Sequence, residues 1–195
     1  MPHRRQWLLA ISFIATSAVT AEFSIDACWA NDWPMWRSDA GRTGVTTESL
    51  PEKLELKWVR KLPAISPAFH SPRLQFDAGY EPVVADGRVL VASSRNDLVT
   101  AFDAETGKEL WVYRTNGPVR FAPAVWEESV CFGSDDGCLY CVELSTGKLR
   151  WKHRATPNDR KLLGNQRLIS VWPVRGGPVV ANGQVYFAAG VWPFE

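Results

Sequence analysis

Residues 103–111 read Asp-Ala-Glu-Thr-Gly-Lys-Glu-Leu-Trp, and residues 143–151 read Glu-Leu-Ser-Thr-Gly-Lys-Leu-Arg-Trp. The two stretches lie 40 residues apart in a chain of 195 residues, and they share Thr-Gly-Lys and the final tryptophan. A repeat period of about 40 residues with strand-like segments in each unit is typical of a β-propeller. The repeat therefore predicts an all-β fold made of similar units.

The repeat extends upstream of this motif. Residues Pro82–Val91 align with Pro123–Phe132 at a displacement of 41, and with Pro178–Phe187 at a displacement of 96. An earlier partial copy is indicated at Leu56–Arg60, which is similar to Leu110–Arg114. The chain is therefore predicted to hold two full units and two partial ones.

Each unit is predicted to contain four short strands. In the first unit they are Pro82–Ala85, Arg88–Ser93, Leu98–Asp103 and Lys108–Arg114. Asp-Gly at residues 86–87 and Thr-Gly at residues 106–107 indicate hairpin turns between apolar runs. A four-stranded antiparallel unit of about 40 residues is a propeller blade. We therefore predict a β-propeller of four-stranded antiparallel blades, incomplete in this chain.

The repeat divides the chain into consecutive segments. We predict a signal peptide at 1–30, an N-terminal strap with a partial blade strand at 31–61, a loop at 62–81, blade 1 at 82–122, blade 2 at 123–154, an inserted loop at 155–177, and the start of blade 3 at 178–195. Propellers typically have about 4–8 blades, and an open array leaves strand edges exposed. We therefore expect the chain to be an N-terminal fragment of a longer protein, of undetermined blade number.

Two tryptophans occupy equal places on the last strand of each full unit. A large flat side chain there can pack between adjacent blades and bury much apolar area. Trp111 and Trp151 are therefore predicted to dock one blade onto the next, with Gly107 and Gly147 in the preceding turns. The alternative is that a tryptophan stacks on a cofactor.

The pattern Ala101-x-Asp103-x-x-Thr106-Gly107-Lys108-x-x-Trp111 resembles the tryptophan-docking motif of the quinoprotein, or PQQ-like, propeller repeat. The second copy departs at two positions, with cysteine at 141 and glutamate at 143. The resemblance covers residues 82–154, with a partial match at 178–195. It implies a blade type and not a cofactor, because the family includes dehydrogenases and also non-enzymatic scaffolds.

The N-terminal residues have the pattern of an export signal. Arg4 and Arg5 precede the apolar stretch Trp7–Ala21, which is shorter than the ~20 residues needed to span a bilayer. Cleavage sites are indicated after Ala21 and after Ala30. An uncleaved membrane anchor and lipidation of Cys28 stay as alternatives. We expect a periplasmic or cell-envelope protein with no transmembrane span in the mature chain.

After this segment, Trp33 and Trp36 lie close together. This aromatic cluster resembles the N-terminal strap of exported members of the family. We expect the two rings to cover an open face or edge of the propeller, with a ligand-stacking role as the alternative.

Charge and cysteine content exclude some functions. The chain has 22 basic and 21 acidic residues, so no basic excess points to nucleic acid. Cys131, Cys138 and Cys141 fall on a predicted hairpin of blade 2, where Cys131 could face either of the other two or all three could stay free thiols. A zinc site at Cys138 and Cys141 is rejected, because side chains three apart on a strand point to opposite faces and no second ligand pair is evident.

The two long loops are where function is expected. The segment 62–81 holds several prolines, and the inserted segment 155–177 is long and has no obvious structure. Arginines beside a tryptophan could bind a carboxylate, a phosphate or an acidic partner surface. The candidate partner or ligand residues of the inserted loop are Arg160, Lys161, Arg167, Trp172 and Arg175.

Two functions compete for this propeller. A non-catalytic binding or protein-interaction scaffold outside the cytoplasm, similar to the propeller lipoprotein of the outer-membrane β-barrel assembly machinery, is our first expectation, with no cofactor. The alternative is a PQQ-dependent alcohol or sugar dehydrogenase. The resemblance would then require a quinone stacked on a tryptophan, a divalent cation such as calcium on carboxylate and amide oxygens, and an aspartate base.

The sequence offers oxygen-bearing loop residues but no match to a catalytic pattern. These residues are Asp77, Glu81, Asp135, Asp136, Asp159 and Asn165. The stretch Asp135-Asp136-Gly137 is interpreted as a hairpin turn. The adjacent-cysteine pair of many quinoprotein dehydrogenases is absent from the sequence. No catalytic residue is therefore assigned.

Overall fold

The structure is a computed structural model and describes residues 32–164 and 166–190. Among these residues the regular structure is β, apart from a 3-10 turn at Pro72–Leu74. The strands are β1 (Val83–Ala85), β2 (Arg88–Ser93), β3 (Leu98–Asp103), β4 (Glu109–Arg114), β5 (Ala124–Trp126), β6 (Ser129–Gly133), β7 (Cys138–Glu143), β8 (Leu149–Arg154), β9 (Lys161–Gly164), β10 (Arg167–Ser170), β11 (Val179–Ala181) and β12 (Gln184–Tyr186).

The strands form two similar blades followed by two hairpins. Strands β1–β4 make a four-stranded antiparallel sheet, blade 1, and β5–β8 make blade 2 in the same order. Strand β9 pairs with β10, and β11 pairs with β12. In blade 1, β2 and β3 have the predicted bounds, while β1 and β4 each begin one residue later. The predicted fold class of four-stranded antiparallel propeller blades is confirmed.

Turn chemistry explains why these residues form tight hairpins. Asp86 and Gly87 both have positive φ, at 47° and 67°, which matches the right-handed twist of the flanking strands. In the turn after β3, the Asp103 carboxylate accepts hydrogen bonds from the Thr106 amide and hydroxyl, both at 2.7 Å. Gly107 follows at φ 65°. Glycine adopts this conformation without steric cost, so the chain can reverse into β4.

The main hydrophobic core lies between the two blades. One row across blade 1 contributes Val83, Leu90, Ala101 and Trp111, which are aligned by the strand register. The facing side of blade 2 contributes buried side chains that include Phe132 and Tyr140, whose rings stack at 5.7 Å between centroids. Burial of this apolar surface is the main stabilising term for such an array.

Tryptophans connect each unit to the next. The Trp111 indole nitrogen donates to the Leu144 carbonyl at 2.8 Å, and its ring lies on Gly147, where a Cβ atom would come within 2.7 Å of the ring. Trp58 repeats this arrangement on blade 1, where its indole nitrogen donates to the Ala104 carbonyl at 2.9 Å and its ring lies on Gly107. Trp58 and Trp111 therefore make equivalent contacts with the Thr-Gly turns of blade 1 and blade 2.

Trp151 differs from these two residues. It is 41% exposed, compared with 8% for Trp111. The residues after position 190 lie outside the described part of the chain. Its docking onto a following blade therefore stays a prediction.

Two sequence predictions need correction. Leu56–Arg60 does not form a blade strand, because residues 54–67 contain no strand and a strand needs a neighbour for its backbone hydrogen bonds. Trp58 still docks on the Gly107 turn, because this contact does not require Trp58 to lie on a strand.

The inserted segment 155–177 is not irregular throughout, because it contains the β9–β10 hairpin.

The N-terminal strap covers a strand edge. The Trp33 amide donates to the Val84 carbonyl at 2.8 Å, and the Val84 amide donates back at 2.9 Å, so the strap pairs with the free side of β1. The next residue, Pro34, accepts a hydrogen bond from the Val125 amide at 2.7 Å. The strap therefore connects the first strands of the two blades.

The predicted signal peptide, with Cys28, lies outside the described residues. Within residues 32–164 and 166–190, no helix is long and apolar enough to cross a membrane.

Candidate functional site

Four connecting segments meet at one end of the two blades. They are the loop before β1, the link from β4 to β5, the turn from β6 to β7, and the segment after β10. The Asp135 amide donates to the Pro118 carbonyl at 2.9 Å, and the Ser170 amide donates to the Asp135 carbonyl at 2.8 Å. We call this end the loop face. Loops held on a rigid sheet scaffold are where binding sites are most often built.

A buried ion-pair network holds the loop face together. The Arg120 Nη1 atom lies 2.6 Å from Asp77 Oδ2, and its Nε atom lies 2.7 Å from Asp135 Oδ2. The guanidinium of Arg175 contacts both oxygens of Asp135, at 3.0 and 3.1 Å. The Arg120 side chain is only 4% exposed and both carboxylates only 1%. Buried charges are stable only when paired and hydrogen-bonded, and here two positive and two negative groups balance.

The network ties together segments that are distant in the sequence. Arg120 also donates to the Ser66 carbonyl at 2.7 Å, and Asp77 accepts from the Ala68 amide at 2.9 Å. The loop before β1 is therefore fixed against both the β4–β5 link and the β6–β7 turn. The predicted turn at residues 135–137 is confirmed, since the Ser134 amide donates to the Cys138 carbonyl at 3.0 Å and Gly137 has φ 84°.

An aromatic cavity of about 270 Å³ lies beside this network. Phe76 stacks on Phe121 with 5.8 Å between centroids and an interplanar angle of 13°. Phe69 meets Phe76 edge to face, also at 5.8 Å. The Arg175 guanidinium lies 5.5 Å from the Phe69 ring centre and 5.9 Å from that of Phe76. Glycines 176 and 190 complete the wall, which leaves room above the rings.

A half-buried acid lies near this cavity. Glu81 accepts a hydrogen bond from the Ala122 amide at 2.9 Å. Burial raises the pKa of Glu81, although the Ala122 hydrogen bond and the charge of Arg42 oppose the rise. Arg42 in turn donates to the Gly177 carbonyl at 2.8 Å and lies 5.0 Å from the Trp36 ring centre. The strap thus extends to the segment that follows the inserted hairpin.

A larger cavity, of about 360 Å³, lies on the outer face of blade 1. Its lining includes Val91 and Phe102. The equivalent residues of blade 2, Phe132 and Val142, are buried against blade 1. The cavity therefore lies on the face of blade 1 that is equivalent to the packed face of blade 2. For this reason we place the candidate site on the loop face.

The candidate residues of the inserted loop are placed in different environments. Arg175 belongs to the buried network, and Arg167 is paired with Asp97. Arg160 and Lys161 are exposed, and Trp172 is half-buried. Carboxylates of the blades therefore already pair with Arg167 and Arg175, and binding of a partner or ligand by the inserted loop stays a prediction.

Sequence reasoning named Asp77, Asp135 and Arg175 only as separate loop residues, and it missed Arg120, which joins the two carboxylates. Arg120, Asp77 and Asp135 are far apart in the chain, and only the antiparallel folding of two blades brings them together. One signal was available, because Arg120 follows Pro118 and Val119 in an otherwise apolar stretch. A charge inside an apolar run indicates a buried ion pair.

The acidic residues named from the sequence are mostly engaged. Asp136 accepts hydrogen bonds from the Tyr140 hydroxyl and, at 3.0 Å, from the Cys138 amide. Burial, together with the bond to Asp136, raises the pKa of Tyr140. Asp159 pairs with Arg154 at 2.9 Å. Asn165 lies outside the described residues.

The described residues do not fit the cation that a quinone cofactor of this family would bring. Arginines pair with both oxygens of Asp135 and with Asp77 Oδ2, so both carboxylates are already neutralised, although Asp77 Oδ1 accepts no hydrogen bond from the described part of the chain. Among the described residues, no group of three or more histidine, cysteine, aspartate or glutamate side chains could hold a metal ion. No catalytic step is therefore derived for these residues.

Residues 25–184 match the PQQ-like repeat family described as "Outer membrane protein assembly factor BamB". The chain belongs to this family. The match spans both blades, the β9–β10 hairpin and β11, and it ends at the first residue of β12. The contacts of Trp58 with the Gly107 turn and of Trp111 with the Gly147 turn are thus features of a PQQ-like propeller.

Two curated relatives of this PQQ-like propeller are dehydrogenases. The alcohol dehydrogenase (quinone) dehydrogenase subunit of Gluconacetobacter polyoxogenes is 35% identical over 120 residues, which are 56% of this chain and 16% of that protein. The 1-butanol dehydrogenase (cytochrome c) of Thauera butanivorans is 32% identical over 120 residues, 54% of this chain and 16% of that protein. The chain therefore spans about one sixth of the length of these relatives.

Solved structures show the same fold. The quinohemoprotein alcohol dehydrogenase of Comamonas testosteroni aligns with a TM-score of 0.57 at 24% identity, over 82% of this chain and 23% of that one. A europium-containing methanol dehydrogenase aligns with a TM-score of 0.56 at 18% identity, over 79% and 26%. At these identities the likeness concerns the fold alone.

Proposed function

We propose that this chain supplies blades of an exported PQQ-like propeller that acts as a non-catalytic binding or protein-interaction scaffold. The observation that carries the proposal is the neutral ion-pair network of Arg120, Arg175, Asp77 and Asp135. It uses the buried carboxylates of the loop face to fix the loops against each other. A rigid face with its acidic groups neutralised is suited to presenting a surface to a partner.

The aromatic cavity is the proposed contact point on that face. Its volume of about 270 Å³ is below the ~300–1,000 Å³ of ordinary small-molecule sites. A cavity of this size suits one large apolar side chain of a partner protein. Phe76 is 43% exposed, so its ring is available at the surface. Aromatic and arginine residues are also the groups most enriched among energetically dominant interface residues.

Export is part of the proposal and rests on residues 1–30. Their two arginines and following apolar stretch have the composition of a secretory signal. The family description, which refers to an outer membrane assembly factor, agrees with a location in the cell envelope.

Site-specific photo-crosslinking tests the scaffold proposal. A photoreactive phenylalanine analogue is placed at Phe76 or, as a control, at Trp126, because both side chains are 43% exposed. Trp126 ends β5, at the opposite end of the blade from the β6–β7 turn. In intact cells that express the full-length protein, we expect a protein adduct from position 76 and none from position 126. Equal labelling at both positions, or no adduct at position 76, would contradict the proposal.

A second candidate function is a PQQ-dependent alcohol dehydrogenase of which this chain is a part. The observation that favours it is the 35% identity to an alcohol dehydrogenase (quinone) subunit over 120 residues. The test is to incubate the full-length protein with PQQ and calcium and to measure cofactor binding and dye-linked alcohol oxidation. Tight binding together with oxidation would replace the scaffold proposal with this one.

A further inference from the structure

Blade 2 contains three buried thiols that neither proposed function uses. Cys131 lies on β6, and Cys138 and Cys141 lie on β7. Cys131 and Cys141 are directly opposite each other in the strand register, and each is 2% exposed. Cys138 points into the core between the blades, on the other side of the sheet. We call Cys131 and Cys141 the cysteine pair.

The backbone hydrogen bonds of the β6–β7 hairpin show whether the cysteine pair occupies a hydrogen-bonded or a non-hydrogen-bonded position. The Ser134 amide bonds to the Cys138 carbonyl at 3.0 Å, and the Leu144 amide bonds to the Glu128 carbonyl at 2.9 Å. Opposed residues in an antiparallel hairpin alternate between hydrogen-bonded and non-hydrogen-bonded pairs. Counting inward from either bond, the cysteine pair falls on a non-hydrogen-bonded position.

This position places the two thiols within bonding reach. The Cα atoms of a non-hydrogen-bonded pair lie about 4.5 Å apart. That separation is inside the ~4.4–6.8 Å range of disulfides. Cys138 is not opposite Cys131 and projects from the opposite face, so it is excluded from the same bond.

The local hydrogen bonds also prepare one member of the pair for reaction. The Cys131 thiol donates to the Cys141 sulfur, and this bond, with help from Ser129 and the charge of Arg150, lowers the pKa of Cys141 to about 7. The same bond, together with burial, raises the pKa of Cys131. Thiol–disulfide exchange begins with a thiolate, so Cys141 is the attacking group.

We propose that Cys131 and Cys141 form a redox-active pair that closes to a cross-strand disulfide by exchange with an oxidant of the disulfide class, while Cys138 stays a thiol. The Cys141 thiolate attacks one sulfur of the oxidant's disulfide, and the other oxidant sulfur leaves. The Cys131 sulfur then gives up its proton and attacks Cys141 Sγ, which releases the second oxidant sulfur. The two cysteines lose two electrons, and the oxidant becomes two thiols that take up the two protons.

The pair lies on the side of blade 2 that faces the third unit. Ala124 is opposite Cys131 in the register, and the side chains of Met35 and Val180 pack on Ala124. The equivalent positions of blade 1 hold Leu90 and Ala101, which are buried against blade 2. The disulfide would therefore cross-link β6 to β7 beneath the next unit, at a place where blade 1 relies on apolar packing alone.

Mass spectrometry of the equilibrated protein tests this inference. The chain is purified with Cys28→Ala, which leaves three thiols, and is equilibrated in glutathione buffers of increasing oxidised fraction. The free thiols are then blocked and the protein is digested with trypsin. All three cysteines fall in the peptide 121–148. We expect this peptide to lose two hydrogens under oxidising conditions and to regain them on reduction.

Single substitutions assign the bond. Cys138→Ala should keep the two-hydrogen loss, and both Cys131→Ala and Cys141→Ala should abolish it. The circular dichroism spectrum of each variant is compared with that of the parent chain, so that loss of the fold is distinguished from loss of the bond. Persistence of the disulfide in a folded Cys131→Ala variant, or three free thiols in the folded parent under oxidising conditions, would overturn the proposal.

Discussion

Blade 1 and blade 2 carry the same repeat but differ in what covers their last strand and in how their loops are held. Trp111 of blade 1 is buried on the Gly147 turn, whereas Trp151 of blade 2 is 41% exposed. The β6–β7 turn of blade 2 is buried around Asp135, whereas Arg95 in the matching turn of blade 1 is exposed. Equivalent positions of the two blades therefore contribute differently to stability, because different neighbours cover them. A substitution in one blade can be compared with the equivalent substitution in the other.

The largest expected effect is at the loop face. Arg120→Met should destabilise the fold by about 4–5 kcal/mol, because it leaves Asp77 without its ion-pair partner and Asp135 with only one. Arg95→Met, in the exposed β2–β3 turn of blade 1, should change the free energy of unfolding by about 0.5 kcal/mol or less. Urea unfolding followed by tryptophan fluorescence measures both. A similar effect for the two variants would show that the network does not hold the loops.

The docking tryptophans provide the next comparison. Trp111→Ala should cost about 3–4 kcal/mol, because it removes a buried ring and the hydrogen bond to Leu144. Trp151→Ala should cost about 1 kcal/mol or less in the same chain, because much of its ring is already in water. Chemical denaturation followed by circular dichroism gives both values. Equal losses would mean that Trp151 is covered in solution.

Two glycines allow the cost of steric crowding to be measured separately from the cost of backbone strain. Gly147 and Gly183 have nearly equal positive φ, at 69° and 71°, but only Gly147 has a tryptophan ring against it. Gly147→Ala should cost about 2–3 kcal/mol from strain and overpacking together. Gly183→Ala should cost about 1 kcal/mol from strain alone. Equal shifts in the thermal unfolding midpoint would rule out close docking of Trp111 on this turn.

The smallest expected effect concerns acid stability of the two Thr-Gly turns. Hydrogen bonds from Thr106 lower the pKa of Asp103, and the Thr146 hydroxyl lowers the pKa of Glu143. Each carboxylate therefore stabilises the fold above its unfolded pKa of about 4. That contribution is lost as the pH falls through the lower folded-state pKa.

Asp103→Asn and Glu143→Gln should therefore flatten the dependence of unfolding free energy on acid pH. Denaturation at a series of acidic pH values compares the slopes. The change should be larger for Asp103, which accepts two hydrogen bonds from Thr106. An unchanged slope for Asp103→Asn would contradict the role given to this carboxylate.

The blades could be predicted because their signals are local. The positive-φ pair at Asp86-Gly87, the Thr-Gly turn and the alternating apolar strands each act within a few residues, and the repeat gave every signal twice. The partial strand at Leu56–Arg60 failed because a strand depends on a neighbour, which the repeat motif does not supply. The β9–β10 hairpin was missed because it lies outside the repeat.

The site could not be predicted in the same way. The charged loop residues were chosen for their type and spacing, yet Arg167 and Arg175 are engaged by Asp97 and Asp135. Which carboxylate meets which guanidinium depends on how two blades and three loops come together. No short stretch of sequence contains that information.

The sequence by itself determined the repeat, the four-stranded blade, the turns and the position of the docking tryptophans, because backbone conformation and hydrophobic periodicity are properties of neighbouring residues. Only the tertiary structure decided that Arg120 joins Asp77 to Asp135, that Cys131 is opposite Cys141 and not Cys138, and that Trp111 is buried while Trp151 is exposed. The ion pairs and the burial of Trp111 depend on contacts between distant segments, and the cysteine pairing depends on the exact register of the β6–β7 hairpin. A buried charge or thiol takes its chemistry from the groups packed around it.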